Sequence, residues 1–276
     1  MLEISADFFT INTIRLEYLW LGRQRENTPT LVFLHEGLGS VAMWKDFPEQ
    51  VVAATSLPAL VFSRQGYGCS EPFPLPRAVS YMHDEALDVL PRVLDAANIE
   101  QAILIGHSDG GSISLMHAAT DKQQRVRALI LLAPHVFNEK SCVDSIAAAR
   151  VAYNTTDLRQ RLAAYHKDVD NTFWGWNDIW LHPDFWHWNI EEYLPDVVVP
   201  VLHIQGEDDE YGSSAQAQAI RQKCKGSVEI VMFPDCGHSP HRDQTDKTIR
   251  SITKFIDNHQ LKKPVFTATK EITHYS

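Results

Sequence analysis

Residues 103–111 read Ile-Leu-Ile-Gly-His-Ser-Asp-Gly-Gly, an apolar run of strand length that stops abruptly at a glycine. A helical pattern follows, so the chain must turn sharply from a buried strand into a helix at Gly106-His107-Ser108-Asp109-Gly110. The two glycines leave out side chains where neighbouring backbone closes around such a turn. Ser108 stands at the apex of this G-x-S-x-G pattern. A serine hydroxyl has a pKa far above neutral and becomes a nucleophile only in an exposed, strained position beside a base. The turn supplies the first condition. It also leaves the Asp109 N–H at a helix N-terminus, aimed where an oxyanion forms.

The rest of the chain is organised around that turn. Alternating residues over 8–12 and 14–21 predict an N-terminal hairpin. Short apolar runs at 30–34, 59–62, 102–105, 126–133, 200–205 and 228–233 do not alternate. They are therefore expected to be buried on both faces, as the strands of a parallel sheet covered by helices. Helices are predicted at 42–55, 81–97, 110–120, 214–223 and 244–259. Between 137 and 196 no strand is apparent, and a helical insertion is expected to interrupt a core formed by 1–136 and 197–261. Residues 262–276 are polar and threonine-rich and read as a surface tail. Five of the seven tryptophans, Trp174, Trp176, Trp180, Trp186 and Trp188, lie in the insertion. Such a density of aromatic area suits either the insertion's own small core or the roof of a substrate pocket. Trp174, Trp176 and Trp180 are the expected substrate-facing members.

Composition narrows the function classes. A net charge of −10 disfavours nucleic acid and anionic membrane as partners and leaves a small-molecule substrate. No apolar run is long enough to span a bilayer, and the N-terminus lacks a basic and apolar leader pattern. Cys69, Cys142, Cys224 and Cys236 are widely separated and form no C-x-x-C pair, which fits a reduced cytoplasmic protein. His182…His187 and His238…His241 approach metal-ligand spacing, but no cysteine or carboxylate cluster completes either, so no metal is expected.

A base and an orienting carboxylate must accompany an activated serine. The last predicted strand runs into Pro234-Asp235-Cys236-Gly237-His238, a loop that can present an imidazole over the sheet edge where Ser108 sits. His238 is the expected base. The strand at 200–205 runs into Gly206-Glu207-Asp208-Asp209-Glu210, four adjacent acids of which at least one must be paired. Asp209 is the expected orienting residue, with Asp208 second. The early strand at 30–34 ends in His35-Glu36-Gly37-Leu38-Gly39-Ser40, whose backbone N–H groups would complete an oxyanion hole with that of Asp109.

With these segments in order, the chain resembles capped serine esterases of the α/β-hydrolase fold. It is similar to the group that contains carboxylesterases, carbon–carbon bond hydrolases and acyl-thioester hydrolases. The resemblance covers about residues 8–260. His35–Ser40 matches the H-G-x-x-G-S loop, and Ser63-Arg64-Gln65-Gly66-Tyr67-Gly68-Cys69-Ser70 matches D-x-R-G-x-G-x-S in altered form. The elbow at 106–110, the G-x-x-D segment at 206–209 and Gly237-His238 complete the set. The resemblance implies an α/β-hydrolase fold: a mostly parallel central sheet, helices on both faces and a helical cap at 137–196. It implies a Ser108–Asp209–His238 triad working without metal or organic cofactor. Glu36 replaces the usual glycine of the oxyanion loop, so by position the N–H should come from Gly37. Asp109 follows the nucleophile where the group often carries an apolar residue or glutamine. A carboxylate beside an oxyanion hole opposes transition-state charge, so Glu36 and Asp109 are expected to be paired or turned away, with Arg64 a candidate partner. Glu36 is kept as a candidate substrate contact.

These features point to hydrolysis of a small or medium apolar ester, with aromatic esters included in view of the tryptophans. Carbon–carbon bond hydrolysis stays open; its carboxylate-bearing substrates want pocket arginines, for which Arg150, Arg159 and Arg161 are the insertion's candidates. A thioesterase or an iminopeptidase uses the same triad. A non-hydrolytic small-ligand receptor on this fold is the alternative of another class.

Overall fold

The computed structural model describes residues 7–263. Eight strands form one sheet in the order β1-β2-β4-β3-β5-β6-β7-β8. β1 (Asp7–Ile11) and β2 (Ile14–Leu21) make the expected hairpin, closed by Asn12 and Thr13 with φ of 49° and 74°. This pair of left-handed residues gives the turn twist that a two-residue hairpin favours. β2 runs antiparallel to β4 (Ala59–Phe62). The remaining strands, β3 (Thr30–Leu34), β5 (Ala102–His107), β6 (Val126–Leu132), β7 (Val201–Gly206) and β8 (Val228–Phe233), are parallel to their neighbours.

The lack of alternation in the central strands has a direct cause: both faces of the sheet are covered. Val32, Leu34, Leu104, Leu129 and Leu131 belong to one buried cluster, and Leu31, Phe33, Ile103, Ile105, Ile130 and Leu132 to the other. On the second face lie α1 (Phe47–Thr55) and α10 (Thr245–Asn258), which pack together. On the first face lie α2 (Tyr81–Asp84), α3 (Leu90–Ala96), α4 (Asp109–Thr120) and α8 (Ser214–Lys223). A single π-helical turn, Glu85–Val89, joins α2 to α3, so the helix expected over 81–97 is one rod with a widened turn. The helix expected over 42–55 is divided instead, into a 3-10 turn at Ala42–Trp44 and α1, by Lys45 at φ 55°.

Between β6 and β7 the chain has no strand. It runs through α5 (Lys140–Thr155), α6 (Leu158–Ala163), α7 (Val169–Trp180) and two 3-10 segments at Pro183–His187 and Glu191–Asp196. A short α9 (Pro240–Asp243) follows β8. All but the first two residues of the tail read from 262 onward lie outside the described residues. No described helix is long and apolar enough to cross a membrane.

Candidate active site

Because β3, β5, β7 and β8 are parallel, the loops leaving their C-terminal ends emerge at one edge of the sheet. These loops carry Glu36-Gly37, Ser108, Asp209 and His238. The β5–α4 turn is as tight as its glycines demand. A Cβ on Gly106 would strike the Gly110 carbonyl, and one on Gly110 would strike the Leu34 carbonyl. Ser108 sits between them at φ 52°, ψ −116°. Such a conformation costs a non-glycine residue roughly 1–3 kcal/mol and persists only where its surroundings fix it. Here the Ser108 N–H donates to the Leu132 carbonyl at 2.9 Å, and α4 starts at once on the Ser108 carbonyl.

His238 Nδ1 lies 2.8 Å from Asp209 Oδ1. The same oxygen accepts from the Tyr211 N–H at 2.9 Å and the Gly212 N–H at 3.2 Å, while Gln205 Nε2 donates to Oδ2 at 2.9 Å. Burial alone would push the Asp209 carboxyl up, but the His238 hydrogen bond and charge, aided by the Tyr211 N–H, hold it at about 2. Burial also pushes the His238 imidazole down; Asp209, then Glu210 and Glu36, outweigh that and raise it above its ordinary value. The fixed carboxylate keeps the proton on Nδ1, leaving Nε2 as a free acceptor. Asp208 is exposed, and its backbone N–H only ties the loop to the Cys236 carbonyl. The geometry therefore joins Asp209, and not Asp208, to His238.

The loop after β3, expected to receive an oxyanion, is held through its carbonyls. The Glu36 C=O accepts from His35 Nδ1 at 2.7 Å and from the buried Arg64 guanidinium at 2.9 Å. The same trans peptide carries the Gly37 N–H, which points the opposite way. Neither the Gly37 nor the Asp109 backbone N–H donates to another group among the described residues. Gly37 is also needed for space, because a Cβ there would run into the Trp176 indole.

The two carboxylates expected to need neutralising are disposed of differently. Asp109 is buried; its Oδ2 accepts from Tyr81 Oη at 2.7 Å and lies 3.7 Å from Arg64. Tyr81 in turn accepts from Trp180 Nε1 at 3.0 Å, so a tryptophan of the insertion is tied to the residue after the serine. Glu36 does not pair its side chain with Arg64, and the expectation of that pairing is corrected: Arg64 reaches only its backbone carbonyl. The Glu36 carboxylate instead faces His107 Nδ1 at 3.4 Å. Burial opposes its ionisation, but the His107 hydrogen bond and charge, then His35 and His241, hold it well below the usual carboxylate range. His107 Nε2 meets the His238 carbonyl at 2.8 Å, so one imidazole links the loop after β3, the elbow and the loop after β8. His107 stands beside Ser108 in the motif, but nothing in the sequence marks it as a link between loops.

Ser108, His238, Glu36, Gly37 and Asp109 all line one cavity of ≈ 610 Å³. From the insertion, Trp176 and Trp180 line it too, with Cys142, Ile146, Leu158 and Leu162. Trp174 does not, which corrects its assignment as a substrate contact. On a helix, residues two apart point to opposite sides, whereas 176 and 180 share a face. Trp174 packs edge-on against Tyr153 and Phe173 with Arg150 above it. Arg150 and Arg159 are likewise engaged by Asp178 and Asp170, and only Arg161 of the three insertion arginines borders the cavity. No three His, Cys, Asp or Glu side chains of the described residues converge as a metal-binding group.

A parallel sheet flanked by an antiparallel hairpin, with a serine elbow, a carboxylate-bound histidine and an insertion after β6, defines the class of α/β-hydrolases. Residues 31–250 match the alpha/beta hydrolase family, and the chain belongs to it. It is 22 % identical to the 2-(acetamidomethylene)succinate hydrolase of Mesorhizobium japonicum, over 92 % of this chain and 98 % of that one. Its fold is similar to that of the proline iminopeptidase of Mycobacterium smegmatis, with TM-score 0.73, 17 % identity and coverage of 93 % and 99 % of the two chains. The enol-lactonase of Burkholderia xenovorans shares the fold at TM-score 0.69 and 21 % identity, over 91 % of this chain and 100 % of that one. Hydrolase activity is the class that this membership supports.

Proposed function

We propose that this chain is a serine hydrolase cleaving carboxylic esters of small to medium, largely apolar groups. Ser108 is the nucleophile, His238 the general base and acid, and Asp209 the residue that holds the imidazole. One observation carries the reading. A serine strained at a helix start opens into the same cavity as an imidazole whose far nitrogen is bound to a buried carboxylate. In this reading His238 Nε2 takes the Ser108 proton as Oγ attacks the ester carbonyl. The Gly37 and Asp109 N–H groups receive the oxyanion, and His238 returns the proton to the departing alcohol. Water activated by the same imidazole then releases the acid. Neither step calls for a cofactor.

The walls from the insertion favour apolar groups, since Trp176, Trp180, Ile146, Leu158 and Leu162 face the cavity. An aminopeptidase needs a carboxylate to receive the substrate's ammonium, and none of the cavity-lining residues contributed by 137–196 is acidic. A reducing, cytoplasmic setting is part of the same proposal, resting on four widely separated cysteines with no C-x-x-C pair. Hydrolysis of a panel of 4-nitrophenyl esters by the wild type and by Ser108→Ala tests the proposal. Loss of a triad member leaves only the roughly 10³–10⁴-fold residual over water that an oxyanion hole and binding supply. A Ser108→Ala variant keeping more than a few per cent of the wild-type rate would remove Ser108 from the role.

A further inference from the structure

The cavity has a charged rim that the reaction chemistry does not use. Three cations line it: Lys45, Arg161 and Arg242. They come from the loop before α1, from α6 and from α9, and all three side chains are exposed. Arg161 shares its charge with Asp157 at 3.1 Å. Lys45 and Arg242 have no carboxylate within salt-bridge distance among the described residues. Lys45 donates instead to the Tyr165 hydroxyl and lies 4.2 Å from the centre of its ring. The Lys45 hydrogen bond and charge hold the Tyr165 phenol below its ordinary range, with a smaller pull from the charge of Arg242.

Packing holds the pair at this place. Trp44, which precedes Lys45, is buried; so is His241, which precedes Arg242, and their rings pack at a tilt of 56° with centres 4.9 Å apart. Lys45 itself has φ 55°, ψ −135°, a conformation that costs a non-glycine residue energy and persists only where its surroundings fix it. The acids of the cavity are occupied elsewhere. Asp109 is bound by Tyr81 and Arg64, Glu36 faces His107, and Glu210 accepts from the His238 N–H at 3.2 Å. A chain of net charge −10 that turns two unpaired cations toward the mouth of its candidate active site creates a local reversal of its field.

We propose that Lys45 and Arg242 bind an anionic group on the substrate, a carboxylate or a phosphate. The group remains at the mouth while the scissile carbonyl sits at Ser108. The substrate class is thus an ester or thioester with an apolar middle and an anionic end. This rests on the hydrolase reading above and narrows its substrate. The apolar walls take the middle of the molecule, and the rim selects by charge.

Matched substrate pairs test it. One pair is mono-4-nitrophenyl glutarate against 4-nitrophenyl valerate, equal in acyl length and differing in a terminal carboxylate. The other is butyryl 4′-phosphopantetheine against butyryl pantetheine, differing only in the terminal phosphate of the leaving group. Two partly screened charge pairs give an anionic preference in kcat/KM on the order of tenfold at low salt, weakening as salt rises. In the double variant Lys45→Met with Arg242→Gln the ratio within the preferred pair falls to about one. Reading the ratio removes any general loss of activity in the variant. A preference confined to the first pair assigns a carboxylate, and one confined to the second assigns a phosphate. Ratios near or below one in the wild type, or a preference that survives the double variant, overturn the proposal. If the wild type labels at Ser108 with a phosphonate but shows no anionic preference, only the rim is refuted. If Ser108 is neither labelled nor needed for turnover, the hydrolase reading fails and the rim with it.

Discussion

Replacing Asp209 by asparagine changes one atom and tests how the base is held. Oδ1 of Asp209 receives three donors, from His238 at 2.8 Å, Tyr211 at 2.9 Å and Gly212 at 3.2 Å, and Oδ2 receives Gln205 at 2.9 Å. An asparagine amide has one oxygen for these two places. With its oxygen at the Oδ1 position, its NH₂ faces the Gln205 NH₂. With its NH₂ there, it faces two backbone N–H groups and forces His238 into the tautomer whose Nε2 already carries a proton. In either orientation the charge is gone. A carboxylate about 4 Å from an imidazolium contributes about 4 kcal/mol at an effective dielectric of 20, nearly 10³ in rate. Any population of the wrong tautomer adds to the loss, so kcat is expected to fall about 10³–10⁴-fold, in the range of the same exchange in a serine protease triad. The pH profile gives a second readout. Asp209 raises the His238 pKa, and the base must be neutral to act, so the wild-type acid limb of kcat/KM lies above the ordinary imidazole value. In Asp209→Asn that limb moves to lower pH. Asp208→Asn, at an exposed position, is expected to stay within about twofold of wild type. A loss below tenfold in Asp209→Asn, an acid limb that stays in place, or a larger loss from Asp208→Asn would refute the reasoning.

Four further outcomes are expected. Asp209 titrates at about 2 in the fold against 3.8 ordinarily, so it contributes stability that is present above pH 4 and lost as pH falls toward 2. The wild type should therefore exceed Asp209→Asn in urea-unfolding free energy by about 2 kcal/mol near pH 5 and by much less near pH 2; a difference independent of pH over that range contradicts it. Gly37→Ala drives a Cβ into the Trp176 indole beside an oxyanion donor, so turnover should drop by about 10² or more while far-UV circular dichroism is retained; wild-type turnover would count against Gly37. Trp176→Ala should lower kcat/KM for bulky esters more than for acetates, whereas Trp174→Ala should lower all esters alike and reduce the melting temperature. Asp109→Asn strands the buried Arg64 guanidinium without its nearest carboxylate and should cost about 3–5 kcal/mol in chemical denaturation; a loss under about 1 kcal/mol shows that the pair does not matter.

The strands were legible because burial on two faces leaves an unmistakable mark. The ends of β3, β4 and β8 fall where the apolar runs end, and the hairpin follows from its alternation. Turn glycines located the elbow, since only close backbone approach explains Gly106 and Gly110 together. What the sequence hid was pairing across distance. Arg64 was marked as a partner, but whether its guanidinium met Glu36 or Asp109 depends on how the β3 and β4 loops pack. His107 and Tyr81 gave no signal of their own, because a histidine or tyrosine acquires a task only from its neighbours. The tryptophans were misjudged at one position for a simpler reason. A cluster read as a unit ignores the helical period, which turns Trp176 and Trp180 inward and Trp174 away. Lys45 and Arg242 are invisible as a pair in the sequence, because only the packing of Trp44 against His241 brings their segments together.

Ser108 is tested most directly by covalent capture. The wild type, Ser108→Ala and Asp209→Asn are each treated with a fluorophosphonate, weighed intact by mass spectrometry, and digested to locate the adduct. The expected result is one adduct per wild-type chain, on the peptide that contains Gly106-His107-Ser108-Asp109-Gly110. No adduct should form on Ser108→Ala, and its rate on Asp209→Asn should be slower by about 10³ or more. A wild-type chain that remains unmodified after exhaustive exposure, or one modified elsewhere with Ser108 untouched, would contradict the assignment of Ser108 as the nucleophile.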